Sequence, residues 1–369
     1  MALSKVDFEN MVDLNRKTNF RNIIINGDMS IAQRATSTAS ITTEAYHTID
    51  RYATFITTLG TWTQSQSTDV PTGQGFAKSL KMDCTTADAS PAAGDRLLIQ
   101  QKIEGQNLQY IKKGTSSAES LTLSFWVKSN KTGTYIAELF DNDNTRQISQ
   151  SYTISSADTW EKKTMTFAGD TSGVLGNDNG DSLILHLWLG AGTTYSSGTL
   201  STTWTSNTNA NRAVGQVNLA DSTSNEWYVT GIQLEAGTAA SDFEFLPFDV
   251  NQRRCQRYFN QYGRDLNNAN NDINVGVGSW YNSSEVVYNL SCSVRMRSKP
   301  TLTSPTVSSG YRFHKAGTYS DVDTGGVISN SDNNIISIYK SGLSGGTGGQ
   351  ATWITCIAAG AKLQFDAEL

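Results

Sequence analysis

Leu183, Leu185, Leu187 and Leu189 recur at every second position, and so do Leu121, Leu123, Phe125 and Val127. A period of two puts each set on one face of an extended strand, whereas the apolar residues of an amphipathic helix recur at three and four. Seven more short runs share strand composition: residues 22–25, 51–57, 77–82, 96–103, 134–140, 160–167 and 227–234. Gly, Asn, Asp and Ser punctuate them, as turns require. Nine or so short strands with one apolar face each predict two packed sheets, a jelly-roll β-sandwich over residues 21–248.

The period then changes. Asp249 follows Pro247 as an N-cap, Gln252 stands three residues later, and Gly263 suits a helix end. Between them Cys255, Tyr258, Phe259 and Tyr262 fall at i, i+3, i+4 and i+7, which predicts a connector helix over 249–263. Further strand-like runs at 273–280, 285–296, 301–307, 335–339, 352–358 and 362–367 predict a smaller β domain over 264–369. Residues 1–20 read as an arm or anchor, with Phe8, Met11 and Val12 at helical spacing behind Ser4 and Asp7. The fold class expected is all-β: a jelly roll, a connector helix and a C-terminal β domain.

Charge narrows the partners. Only 17% of residues are charged and the net charge is −5, so no field exists to neutralise phosphates, and neither nucleic acid nor an anionic membrane is expected. No apolar stretch approaches the ~18 residues of a membrane-spanning helix. The first residues lack a basic region followed by an apolar one, so synthesis in a cytosol without a signal peptide is expected. The four cysteines, Cys84, Cys255, Cys292 and Cys356, are widely spaced and read as buried free thiols. With three histidines, His47, His186 and His314, imidazole-based triads and metal sites have little material.

Residues 22–34 (NIIINGDMSIAQR) with 49–52 (IDRY) resemble the opening of a jelly-roll module common in bacteriophage fibre and virion-surface proteins. Residues 231–237 (GIQLEAG), 243–247 (FEFLP) and 254–259 (RCQRYF) are similar to its close, and 296–301 (MRSKPT) looks like the C-terminal region of such fibres. The resemblance implies a carbohydrate-binding-module-like sandwich on a phage particle, assembled in the host bacterial cytoplasm as a symmetric oligomer. It implies no substrate. Such modules often tie their first strand to their last with calcium, and Asp28 and Glu235 flank those strands. Buried carboxylates accepting backbone amides are the alternative, and no cofactor is required.

Other motifs are weaker. Gly342-Leu343-Ser344-Gly345-Gly346 fits G-x-S-x-G, but more glycine follows it where a hydrolase needs a helix, so a flexible loop is expected. Asp141–Thr145 lacks the glycine and glutamate of a calcium loop and reads as a hairpin turn; 177–181 is also turn-like. His186 alternates with the leucines and faces away from them, as a solvated or interface histidine. Sugar rings stack on aromatic faces while their hydroxyls need polar partners. Trp62, Tyr195, Trp204, Trp280, Tyr281, Tyr311 and Tyr319 sit in polar or glycine-rich contexts suited to that, whereas Trp126, Trp160, Trp188 and Trp227 lie within apolar strands as core. Of these, Trp280, Tyr281, Tyr311 and Tyr319, in the C-terminal domain, are the glycan-binding candidates. Cys255, Tyr258, Phe259 and Tyr262 are the candidate interface of a homotrimer.

The function expected is therefore a non-enzymatic fibre or appendage subunit of a tailed phage, at the virion surface, attaching reversibly to host glycans. Other virion proteins would bind the arm. The rivals are a decoration or head-fibre protein without a receptor, and a polysaccharide depolymerase, whose two carboxylates the sequence does not single out.

Overall fold

The computed structural model describes residues 20–263 and 272–369, without the side chains of Asn330 and Ser331. The proposed arm, apart from Phe20, lies outside the described residues, as does most of the asparagine-rich segment 267–272.

Two antiparallel sheets make the sandwich. One has six strands in the spatial order Ser37–Ile41, Thr61–Ser67, Ser79–Thr86, Glu226–Ala236, Leu121–Ser129 and Glu161–Phe167. The other has seven: Thr205–Ser206, Arg146–Ile154, Gly133–Asp141, Asp181–Ala191, Arg96–Glu104, Ala53–Thr57 and Ala45–Tyr46. The alternating leucines do what their period requires. Leu183, Leu185, Leu187 and Leu189 meet Leu123, Phe125 and Val127 in one core with Trp62 and Trp227. Burying such side chains stabilises the sandwich by about 1.5–3 kcal/mol each relative to exposure. The expected strand at 22–25 is irregular chain instead: Ile23 donates to the Leu234 carbonyl, but Ile25 donates to the side chain of Gln101. The hairpin turn after Asp141 is as expected, joining Gly133–Asp141 to Arg146–Ile154.

The connector differs from expectation. The helix runs over Phe248–Gln256, with Asp249 inside its first turn, and the chain then turns into the strand Phe259–Gly263. That strand pairs with Lys362–Asp366 from Phe259↔Asp366 to Gly263↔Lys362, and a partner a hundred residues away overrides the local helical spacing. The apolar stripe is largely turned inward within the chain. Cys255 and Tyr258 pack inside the chain against Ile25 and Ile31, Phe259 is 3% exposed beneath the Arg34 guanidinium, and Tyr262 packs on the core of the smaller domain.

The smaller domain holds a three-stranded sheet, Phe259–Gly263, Lys362–Asp366 and Thr301–Thr303. Its second sheet has seven strands: Thr318–Val322, Tyr311–Lys315, Ala351–Cys356, Ile273–Trp280, Val286–Ser291, Ile335–Lys340 and Val327–Ser331. The last residues return to the sandwich. Glu368 pairs with the buried Arg51 and with Arg34, Arg297 donates to the Ala367 and Glu368 carbonyls, and Leu369 packs beside Cys255 and Tyr258.

Candidate functional site: a groove on the sandwich

The outward face of the seven-stranded sheet of the sandwich carries a second set of alternating residues. Strand register aligns Ala53, Gln100, His186 and Glu138 in one row, with Phe55, Leu98 and Trp188 in the next and Lys102, Ile184 and Phe140 on the other side. Between these rows lies a groove of about 250 Å³. The half-buried rings of Phe55 and Phe140 flank it, and Gln100, Lys102, Asp181 and Arg212 supply polar groups along it.

Its floor is a buried charge network. Glu138 is 0% exposed and accepts from Arg212 Nε at 2.8 Å, Arg212 Nη2 at 3.0 Å, His186 Nδ1 at 2.9 Å and Trp188 Nε1 at 3.0 Å. Burial acts to raise the carboxyl, but the Arg212 charge and the His186 hydrogen bond outweigh it and hold Glu138 at about 2. Burial lowers the His186 imidazole, so the ring is neutral near neutral pH. An ionised carboxylate at Nδ1 fixes the proton on that nitrogen and leaves Nε2, which has no hydrogen-bond partner among the described residues, as an acceptor. The Arg212 guanidinium lies 5.0 Å from the Phe140 ring centre and 5.4 Å from that of Trp188. The groove thus pairs apolar ring faces with fixed donors and acceptors, the combination a pyranose needs.

Sequence reasoning missed this site. It had His186 on the correct face but as a solvated or interface histidine; the ring is 5% exposed within the chain, bonded to Glu138 and beside Arg212. Phe140, Glu138 and Arg212 were never singled out. The signal was present in the alternation Ile136, Glu138, Phe140, which is the outward face of a strand whose inward face is Tyr135, Ala137 and Leu139.

The structure divides the candidate glycan residues. Trp280 is 1% exposed and Tyr311 0%, so both are core rather than contact residues. Trp280 donates to the His314 carbonyl, and a Cβ on Gly346 would come within 1.9 Å of its ring, so the glycine-rich segment is a packed cover on Trp280. The Tyr311 hydroxyl lies 2.9 Å from both the Pro305 and Lys362 carbonyls, shares its one hydrogen with them and accepts from the Lys362 amide. Trp62 and Tyr195 are buried too, while Trp126 and Trp160 are only half-buried. Tyr281 and Tyr319 are exposed, at 72% and 51%. Near Tyr319, Trp353 stacks on His314 at 4.2 Å and 13°, and Arg312 lies 3.7 Å over the Tyr319 ring while gripping Asp321. Trp353 was overlooked, although it sits between the buried Thr352 and Ile354 and must therefore face outward.

Asp28 and Glu235 each have donors of their own. Asp28 accepts from Ser30 and Asn251; Glu235 accepts from Gln233 and from the backbone and hydroxyl of Ser241, with Arg21 at 3.8 Å. Among the described residues no three acidic, histidine or cysteine side chains gather as a metal site. No described helix is long and apolar enough to cross a membrane.

No family model matches the sequence, and no curated protein matches it. Among solved structures, the enzymatically active domain of tailspike protein 4 from bacteriophage CBA120 is similar over 58% of this chain, at 14% identity and TM-score 0.31. The chain spans 21% of that protein's length. A family 11 carbohydrate-binding module from Clostridium thermocellum matches over 55% of this chain and 98% of its own, at 12% identity and TM-score 0.27. The xylan-binding domain CBM22-1 from Paenibacillus barcinonensis matches over 55% and 94%, at 13% and 0.25. Likenesses this distant carry no argument about ligand or activity.

Proposed function

We propose that this chain is a non-enzymatic glycan-binding subunit of a tailed-phage fibre or appendage, and that the sandwich groove is where it holds sugar. The observation that carries the reading is the groove itself: half-buried Phe55 and Phe140 across a row of polar groups fixed by the buried Glu138 network. Phe140 and Phe55 would take the C–H faces of a pyranose, His186 Nε2 would accept from a hydroxyl, and Gln100 and Arg212 would donate. The virion setting is supported by the resemblance of residues 22–34 with 49–52, and of 231–237, 243–247 and 254–259, to phage surface modules.

Assembly as a homotrimer, with residues 1–20 engaging other virion proteins, belongs to the same proposal; a monomeric mass by light scattering would refute it. Tyr281 and Tyr319 remain proposed secondary contacts, with Trp353 beside Tyr319. A structural calcium at Asp28 and Glu235 remains proposed, tested by whether chelation lowers the melting temperature.

The deciding experiment is a glycan array with the full chain and its Phe140→Ala variant, followed by titration of any sugar that binds. Loss of about tenfold in affinity with an unchanged melting temperature is expected. No binding by the wild-type chain, or equal binding by the variant, refutes the groove. Release of reducing ends from a host polysaccharide would replace the reading with the depolymerase.

A further inference from the structure

A larger concavity, about 710 Å³, lies where the sandwich, the helix and the smaller domain meet. Its lining is unusually cationic for a chain of net charge −5: Lys102, Arg254, Arg257, Arg295 and Arg297 against the single acid Asp178 among the described lining residues. Two of these cations are already neutralised. Arg257 grips the buried Glu104 through two bonds of 2.7 Å, and Lys102 lies 3.6 Å from Asp181.

The other three have no carboxylate within ion-pair distance among the described residues. Arg297 is spent on the backbone carbonyls of Asn179, Ala367 and Glu368. Arg295 donates through Nε to Asn333, and Arg254 reaches the Asn22 carbonyl at 3.4 Å. Among the described residues both therefore keep guanidinium donors without a hydrogen-bond partner, although Arg295 adds to the backbone amides of Ile335 and Asn334 in holding the exposed Asp332 carboxyl down. Arg254 is half-buried, and burial lowers its guanidinium below the ordinary value although the Glu244 carboxylate acts in the opposite direction. Like-charged groups around a walled cleft focus a positive potential and raise the local concentration of anions. Guanidinium forks match carboxylate and phosphate oxygens in particular. Tyr110, Gln106 and Asn107 also line the cleft and offer a ring and amides of the kind that orient sugar hydroxyls.

We infer that this junction cleft is a second binding site, for the carboxylate or phosphate of an acidic saccharide, with Arg254 and Arg295 as its anion-holding residues. The site is separate from the sandwich groove, and it rests on the proposed glycan function only in taking a saccharide as the carrier of the anion.

The test is calorimetric titration of the full chain with trigalacturonate, mannose 6-phosphate and neutral galactotriose. Trigalacturonate tests the carboxylate and mannose 6-phosphate the phosphate. Binding of at least one anionic probe, weakened by added salt, is expected. Arg254→Gln and Arg295→Gln should each lower its affinity about tenfold, and the double variant about a hundredfold. Arg295 is exposed, so its variant separates loss of binding from loss of folding. Phe140→Ala should leave this affinity unchanged. Failure of both anionic probes to bind, or equal affinity in wild type and double variant, overturns the inference. So does loss of anion binding in Phe140→Ala with retention in the arginine variants, which would move the acidic sugar to the groove.

Discussion

Replacing Glu138 by Gln removes the charge beneath the groove while keeping its shape. Glu138 is 0% exposed and Arg212 7%, so the variant leaves a guanidinium in the protein interior with its counter-ion gone. Breaking one side of a buried pair costs about 3–5 kcal/mol, since the remaining charge keeps its desolvation penalty. The pH dependence gives an independent measure. Glu138 is held at about 2 in the folded chain against 4.5 as its ordinary value. Because the folded value is depressed, the stabilisation is complete above the unfolded value and is lost as pH falls through that window. It amounts to about 3 kcal/mol, of which about 2 kcal/mol is gone by roughly pH 3. Urea titrations of both proteins at several pH values read this directly as the gap between their unfolding free energies. A gap of about 3–5 kcal/mol near neutrality, narrowing below about pH 4.5, is expected. Parallel stability curves, or a gap under about 1 kcal/mol at neutral pH, would refute the assignment of Glu138 as an ionised anchor for Arg212 and His186.

Phe259→Ala should cost roughly 3–5 kcal/mol in denaturant unfolding, because its ring is 3% exposed inside one chain; a smaller loss that grows with dilution would instead reveal a subunit contact. Trp280→Ala should destabilise by a similar roughly 3–5 kcal/mol, whereas Trp353→Ala, at 43% exposure, should barely move the melting temperature; the reverse order in calorimetry would mean that the two faces of the sheet are misassigned. The four cysteines are free and buried, and burial pushes Cys84 and Cys292 up to about 11, so a thiol reagent should leave the native chain unlabelled and count four sites only after denaturation.

What could be read from the sequence was whatever depends on near neighbours. The leucines of Asp181–Ala191 declare a strand with one buried face because period two needs no partner to be visible. Cys255, Tyr258, Phe259 and Tyr262 look helical for the same local reason, and the reading fails where Lys362–Asp366 arrives to pair with Phe259–Gly263. Trp280 looked exposed among polar residues, since nothing nearby in sequence says that Gly346 lies on its ring. The groove was hidden for a related reason. Glu138, His186 and Arg212 are 26 or more positions apart, and each alone is an ordinary polar residue; their chemistry exists only once three segments converge.

The return of Asp366–Leu369 to the sandwich has a consequence for synthesis. A ribosome makes the sandwich first, so Arg51, 0% exposed in the folded chain, meets Glu368 only after the 317 positions that separate them have been made. Arg34 likewise lacks both Asp366 and Glu368 until then. Before that point the nascent sandwich offers both guanidiniums the Asp50 carboxylate as counter-charge, and Asp366 and Glu368 come later. A message cut short anywhere in the smaller domain yields a chain in which Arg34 and Arg51 of the first domain lack Asp366 and Glu368.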